Sequence, residues 1–200
     1  MAIDMRTLEG VPEEWGCSLY VIRLLATVME RAALLDSTPA PETPPWSIAV
    51  DPERERMMWW ALADRTYEAQ LTVEELAEVE RIRPVIERHR RSRSPAPDRV
   101  PGFKFEGTDT WVVIAQECAL IAERLGALDD KVLAHVLEQE NESRVDNHNR
   151  LDQLTGLAGT VESAGARPQD QLSIEDVRPT LDSWIKYNRL AATRGGYEIS

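Results

Sequence analysis

Prolines divide this chain before any other residue type does. Four fall in DSTPAPETPPWSIAV, residues 36–50, and three in SPAPDRVPG, residues 94–102. Proline lacks a backbone N–H and fixes φ, so neither stretch can be a helix interior or a central strand. Both are expected to be extended connectors. The helical and strand patterns must therefore be sought in the segments they leave.

The first segment reads as one helix. In EEWGCSLYVIRLLATVMERAALL, residues 13–35, Trp15, Leu19, Ile22, Ala26, Met29 and Ala33 recur every three or four residues. Residues 1–36 are expected to be an N-terminal helix, semi-detached behind the connector at 37–50. Residues 51–200 are then the helical core domain.

That domain opens on DPERE, with Asp51 suited to cap a helix and Pro52 suited to its first turn. MMWWALA, residues 57–63, is apolar all round, so its helix either lies centrally or offers aromatic surface to a partner. Trp59 and Trp60 point about 100° apart and are candidate partner-binding residues. In LTVEELAEVERIRPVIERHRRSR, residues 71–93, Thr72 and Glu75 form a capping-box pattern, and Pro84 should kink the helix.

The alternation of Phe103, Phe105, Trp111 and Val113 suggests short strands, and a helix should begin near Ile114 and stop at Gly126. A further helix should run from Asp129 or Asp130 to about Leu157, followed by a loop over 159–171. Ser173 with Asp176 should open the last helix, and YEIS after Gly195–Gly196 should be an edge strand. The expected fold is mainly α (α+β): five to six helices with a small two- to three-stranded antiparallel sheet formed by 103–113 and 196–199.

TWVVIAQECALIAERL followed by a terminal WIKYNRLAATRGGYEIS resembles small uncharacterised bacterial proteins of actinobacterial type. Those proteins join a Trp-x-Val segment and a Glu-x-Cys helix to a Gly-Gly-aromatic ending. The resemblance covers about a fifth of the chain, and motif matches of this size carry no function with them. It implies only that the two strand segments pair.

Several features bear on function. Residues 81–99 hold seven arginines against Glu87 and Asp98, a local charge of +5. Arg88, Arg90, Arg91 and Arg93 are candidate anion-binding residues, because guanidinium clusters clamp phosphate and carboxylate. Nucleic acid is not the expected ligand there, since no aromatic side chains interleave for base stacking. On the helix after Asp130, His135, Glu138 and Glu142 share a face and have the residue types of a metal site. No Glu-x-x-His unit exists elsewhere to complete one, so a solvated face is preferred and no cofactor is expected.

Further along that helix Asn141, Arg144 and His148 interrupt an apolar line. Asn141 and His148 are therefore candidate partner-binding residues, in a hetero-complex or a homo-oligomer. Cys17 and Cys118 lie in apolar patterns and are expected to be buried thiols.

No nucleophile elbow, phosphate loop, dinucleotide fingerprint, Cys-x-x-Cys or His-Glu-x-x-His motif occurs, which lowers the expectation of an enzyme. The net charge of -12 repels nucleic acid and anionic membrane and attracts basic proteins. No leader or spanning segment is recognisable, so a cytoplasmic location is expected. The leading expectation is a bacterial or phage interaction protein of inhibitor, immunity or DNA-mimic type that binds a basic protein. An enzyme, a small-ligand or metal-binding helical domain, and an oligomeric structural subunit are the alternatives.

Overall fold

A computed structural model describes residues 2–106, 110–155 and 172–199. Its main sheet is antiparallel, with Glu14–Ser18, Ala2–Thr7, Gly196–Ile199 and Trp111–Ile114 side by side in that order. β1 (Ala2–Thr7) and β2 (Glu14–Ser18) form a hairpin with Ile3 opposite Cys17 and Met5 opposite Trp15. β5 is Trp111–Ile114 and β6 is Gly196–Ile199. Met5 lies opposite Ile199 across β1–β6, and Val113 lies opposite Tyr197 across β6–β5.

This overturns three expectations. Residues 1–36 are no appendage: in AIDMRT the period-two alternation buries Ile3, Met5 and Thr7 while Asp4 and Arg6 face out. Residues 14–18 are a strand and not a helix start. Nor is YEIS an edge strand, since β6 pairs on both sides.

Helices cover the sheet. α1 (Leu19–Arg31) is capped by Ser18, whose hydroxyl accepts from Val21 N–H at 3.3 Å. α4 is Ala115–Gly126, α5 is Asp130–Thr155 and α6 is Ile174–Ala192. The Ser173–Asp176 capping box opens α6 as expected. Trp184 of α6 is fully buried, with its ring 6.1 Å from Phe105 and 6.3 Å from Trp15. Ile22, Leu25, Val28, Ile121, Leu125, Leu133 and Leu181 complete this core.

The satellite unit is a different part of the chain. α2 (Pro52–Ala63), a 3-10 turn (Arg65–Gln70) and α3 (Val73–Arg90) bury Met58, Ala61, Leu62, Val79 and Ile82 in a second core. The proline-rich connector joins it: Trp46, Ile48 and Val50 pack against that core, and Trp46 lies 4.9 Å from Trp59 between ring centres. α3 runs on through Pro84, although the ring deprives the Glu80 carbonyl of its helical donor.

The lobe hangs from a neck. β3 (Leu35–Asp36) and β4 (Val100–Pro101) pair in parallel, Leu35 opposite Val100, so the chain leaves and rejoins the main fold side by side. The observed fold is α+β: among the described residues, six α-helices with a four-stranded antiparallel sheet and a two-stranded parallel pair. Residues 111–114 pair with β6 as expected, but 102–105 wind into a 3-10 turn instead of a strand. The turn buries Phe103, Lys104 and Phe105 together, which an alternating strand cannot do.

Candidate functional site

The ionisable groups fall into two populations, those spent inside and those left outside. Lys104 is the deepest. Its ammonium donates to both carboxylate oxygens of Glu117, at 2.9 and 2.7 Å, and to the Val112 carbonyl at 2.8 Å. All three donors are satisfied. Glu117 also accepts the Ile114 N–H at 3.0 Å, so one carboxylate both caps α4 and neutralises the lysine. Burial pushes the Lys104 ammonium down and the Glu117 carboxyl up from their ordinary ranges, and each opposes the shift of the other.

Cys118 is next along α4, its thiol 3.6 Å from the Val113 carbonyl and pushed strongly up by burial. Cys17 is pushed up to about 11 by burial, with backbone hydrogen bonding to Ile22 opposing. Both thiols stay protonated at neutral pH and are poor nucleophiles. Of the expected pair of buried thiols, Cys118 is buried and Cys17 half-buried, and both are free.

The arginine cluster divides. Arg81 binds the Glu78 carboxylate at 2.8 Å and the Pro45 carbonyl at 3.0 Å. Arg83 is buried and binds Glu68, Glu80 and the last carbonyls of α2 at Ala61 and Leu62. Those two hold the lobe together. Arg93 donates to the Gln116 side chain at 3.1 Å, across to α4. Among the described residues, Arg88, Arg90 and Arg91 form no ion pair.

The two tryptophans also divide. Trp59 turns inward onto Trp46, while Trp60 is 46% exposed, 5.5 Å from Tyr67 with the Arg56 guanidinium 6.0 Å above its ring. α2 buries only one side, so the two neighbours meet different surroundings. Trp59 faces a cavity of about 170 Å³ at the seam between lobe and sheet. Leu62, Ile86 and Trp111 share its apolar lining, and Thr43, His89, Arg90 and Thr110 supply polar groups. A wider cleft of about 770 Å³ lies beside the neck, lined by charges of both signs including Arg23, Glu30, Asp36, Arg99 and Glu106.

On α5, His135 and Glu138 are both exposed and 3.8 Å apart, and the His135 ring contacts Gln139 at 3.0 Å. Glu142 is exposed. Among the described residues, no three His, Cys, Asp or Glu side chains are grouped to hold a metal ion. Asn141 is occupied within the chain: its amide donates to the Leu172 carbonyl at 3.0 Å and accepts the Leu172 N–H at 2.9 Å. The interrupted apolar line thus begins with a residue that ties α5 to the approach of α6. The side chain of His148 lies outside the described residues, as does the expected loop at 159–171.

Sequence reasoning missed Lys104, Glu117 and the enclosed position of Arg90. A carboxylate three residues after the strand end was a usable signal for Glu117, since that is the capping-box spacing. No described helix is long and apolar enough to cross a membrane. No protein-family model, no curated protein and no solved structure matches this chain.

Proposed function

We propose that this chain is a non-enzymatic interaction protein whose acidic surface receives a basic protein partner. The observation that carries this is where the cations go. Arg54, Arg83 and Lys104, buried or half-buried, are each spent on carboxylates inside the fold. Each of these pairs is neutral, so the net charge of -12 stays with the other side chains. Glu138, Glu142 and Glu175 on the α5 and α6 side are exposed, and no described arginine or lysine pairs with them. Such a surface steers a basic partner and sets its orientation more than it sets affinity. Trp60, exposed on the lobe, has the chemistry of an interface anchor.

The test is capture of partners by the tagged full chain from nuclease-treated lysate, alongside a Glu138→Lys, Glu142→Lys, Glu175→Lys variant. The expected result is a stoichiometric basic protein that salt releases and the variant fails to hold. A captured protein held equally by the variant, or held regardless of salt, would refute the electrostatic reading.

A further inference from the structure

We propose that the seam cavity lined by Trp59, Trp111 and Arg90 binds a single-ring aromatic anion, an aryl carboxylate or aryl phosphate of about benzoate size.

Arg90 singles the site out. Six described arginines and lysines are buried or half-buried: Arg54, Arg83, Arg90, Lys104, Arg178 and Arg194. Five of them have a carboxylate within ion-pair distance: Glu75, Glu68, Glu117, Asp130 and Glu13 respectively, leaving Arg90 aside. Arg90 alone has neither an ion pair nor a side-chain hydrogen bond among the described residues, and it lines the cavity. A partly desolvated guanidinium gains most from an anion that brings two acceptor oxygens.

The rest of the lining fits what such an anion would carry. The volume, about 170 Å³, is close to the roughly 150 Å³ of an apolar protein cavity that accepts benzene. Two indoles line it, and each packs against another aromatic ring. Trp59 packs on Trp46 at 4.9 Å, and Trp111 packs edge-on to Phe103 at 4.7 Å. Braced aromatic walls lose little freedom when a ring enters. The Thr43 and Thr110 hydroxyls and the His89 ring can add hydrogen bonds. Elements from both units line the cavity, α2 and α3 from the lobe and β5 from the sheet, and seams of this kind are common places for ligands. The site uses no residue of α5 or α6, so it stands or falls independently of the acidic-surface proposal.

The test is titration of the full chain with benzoate and phenyl phosphate, read by tryptophan fluorescence and by calorimetry. Benzamide keeps the ring without the charge, and acetate keeps the charge without the ring. The expected result is saturable binding of an aryl anion with a dissociation constant of about 1 mM or below. Benzamide and acetate should bind at least about tenfold more weakly. Arg90→Gln should lose about tenfold for the aryl anion while melting at the same temperature without ligand, because Arg90 holds no internal partner.

Absence of saturation by either aryl anion would overturn the proposal. Equal binding of benzamide would overturn it too, since the cavity would then be merely apolar, and so would wild-type affinity in Arg90→Gln. Should Arg90→Gln melt early, Arg90→Lys retains the charge and must bind more tightly than the glutamine variant. Equal affinities of the two would refute the role of charge.

Discussion

Lys104 and Glu117 form an ion pair entirely inside the protein, with 0% and 6% of their side chains exposed. Each charge is tolerable there only because the other is present. Lys104→Met leaves a buried carboxylate without its counter-charge and should destabilise by about 3–5 kcal/mol. Lys104→Met combined with Glu117→Gln removes both charges and keeps an acceptor for the Ile114 N–H. It should recover most of that loss, by urea denaturation of the two single variants and the double. A double variant as unstable as the sum of the singles would show that the pair is not coupled.

Gly196 should tolerate no side chain. Its φ of +110° is a left-handed conformation, and a Cβ there would sit 2.1 Å from the Val113 carbonyl oxygen of the neighbouring strand. The β5–β6 register would have to part to admit it. Gly196→Ala is expected to cost at least about 2 kcal/mol in stability. Amide exchange along β5 and β6 should speed up more than exchange along α3.

The lobe should be the acid-sensitive half. The Arg54 guanidinium holds the Glu75 carboxyl at about 2, and the Arg81 guanidinium with Ser47 holds Glu78 at about 2, against an ordinary 4.5. Lowered values in the folded state mean stability that is fully present above about pH 4.5 and is lost as pH falls toward 2. Fluorescence of Trp46 and Trp59 should report loosening of the lobe across that window. In Glu75→Gln with Glu78→Gln the acid transition should flatten while neutral-pH stability falls.

Asn141 should act as a tether. Its two hydrogen bonds to Leu172 are lost in Asn141→Ala, at a cost of about 1–3 kcal/mol. Exchange of the Leu172 amide should accelerate, while the Ile199 amide in β6 should keep its protection. A variant with an unchanged Leu172 exchange rate would dismiss the tether.

The helices were legible wherever caps and periodicity agreed. Asp51–Pro52, Thr72–Glu75 and Ser173–Asp176 each mark a helix start in both sequence and structure. Strands were harder, because they are short and their partners are distant. β1 has six residues and pairs with β6 from the other end of the chain. Trp15, Leu19 and Ile22 satisfy a helical period even though the chain turns from strand to helix at Ser18. A two-residue neck such as β3–β4 leaves no periodic trace at all.

At the candidate sites, composition showed that arginines gather between 81 and 99 but not which are consumed. Arg83 became a buried strut and Arg90 a cavity residue because lobe packing, and no local pattern, orients them. Phe103-Lys104-Phe105 looks like an alternating strand with an exposed lysine. The 3-10 turn reverses that inference.

The central position of β6 has a consequence for synthesis. The main sheet cannot close until Ile199 has cleared the ribosome, because β1 and β5 meet only through β6. The lobe, whose second core draws on residues 46–86, has all of its partners much earlier. Translation should therefore yield a nascent chain with a collapsed helical knob in its middle, flanked by an N-terminal hairpin waiting for its missing neighbour. In that interval the apolar side chains of Ile3 and Met5 lack their final cover, so chaperone dependence should fall on the first strand.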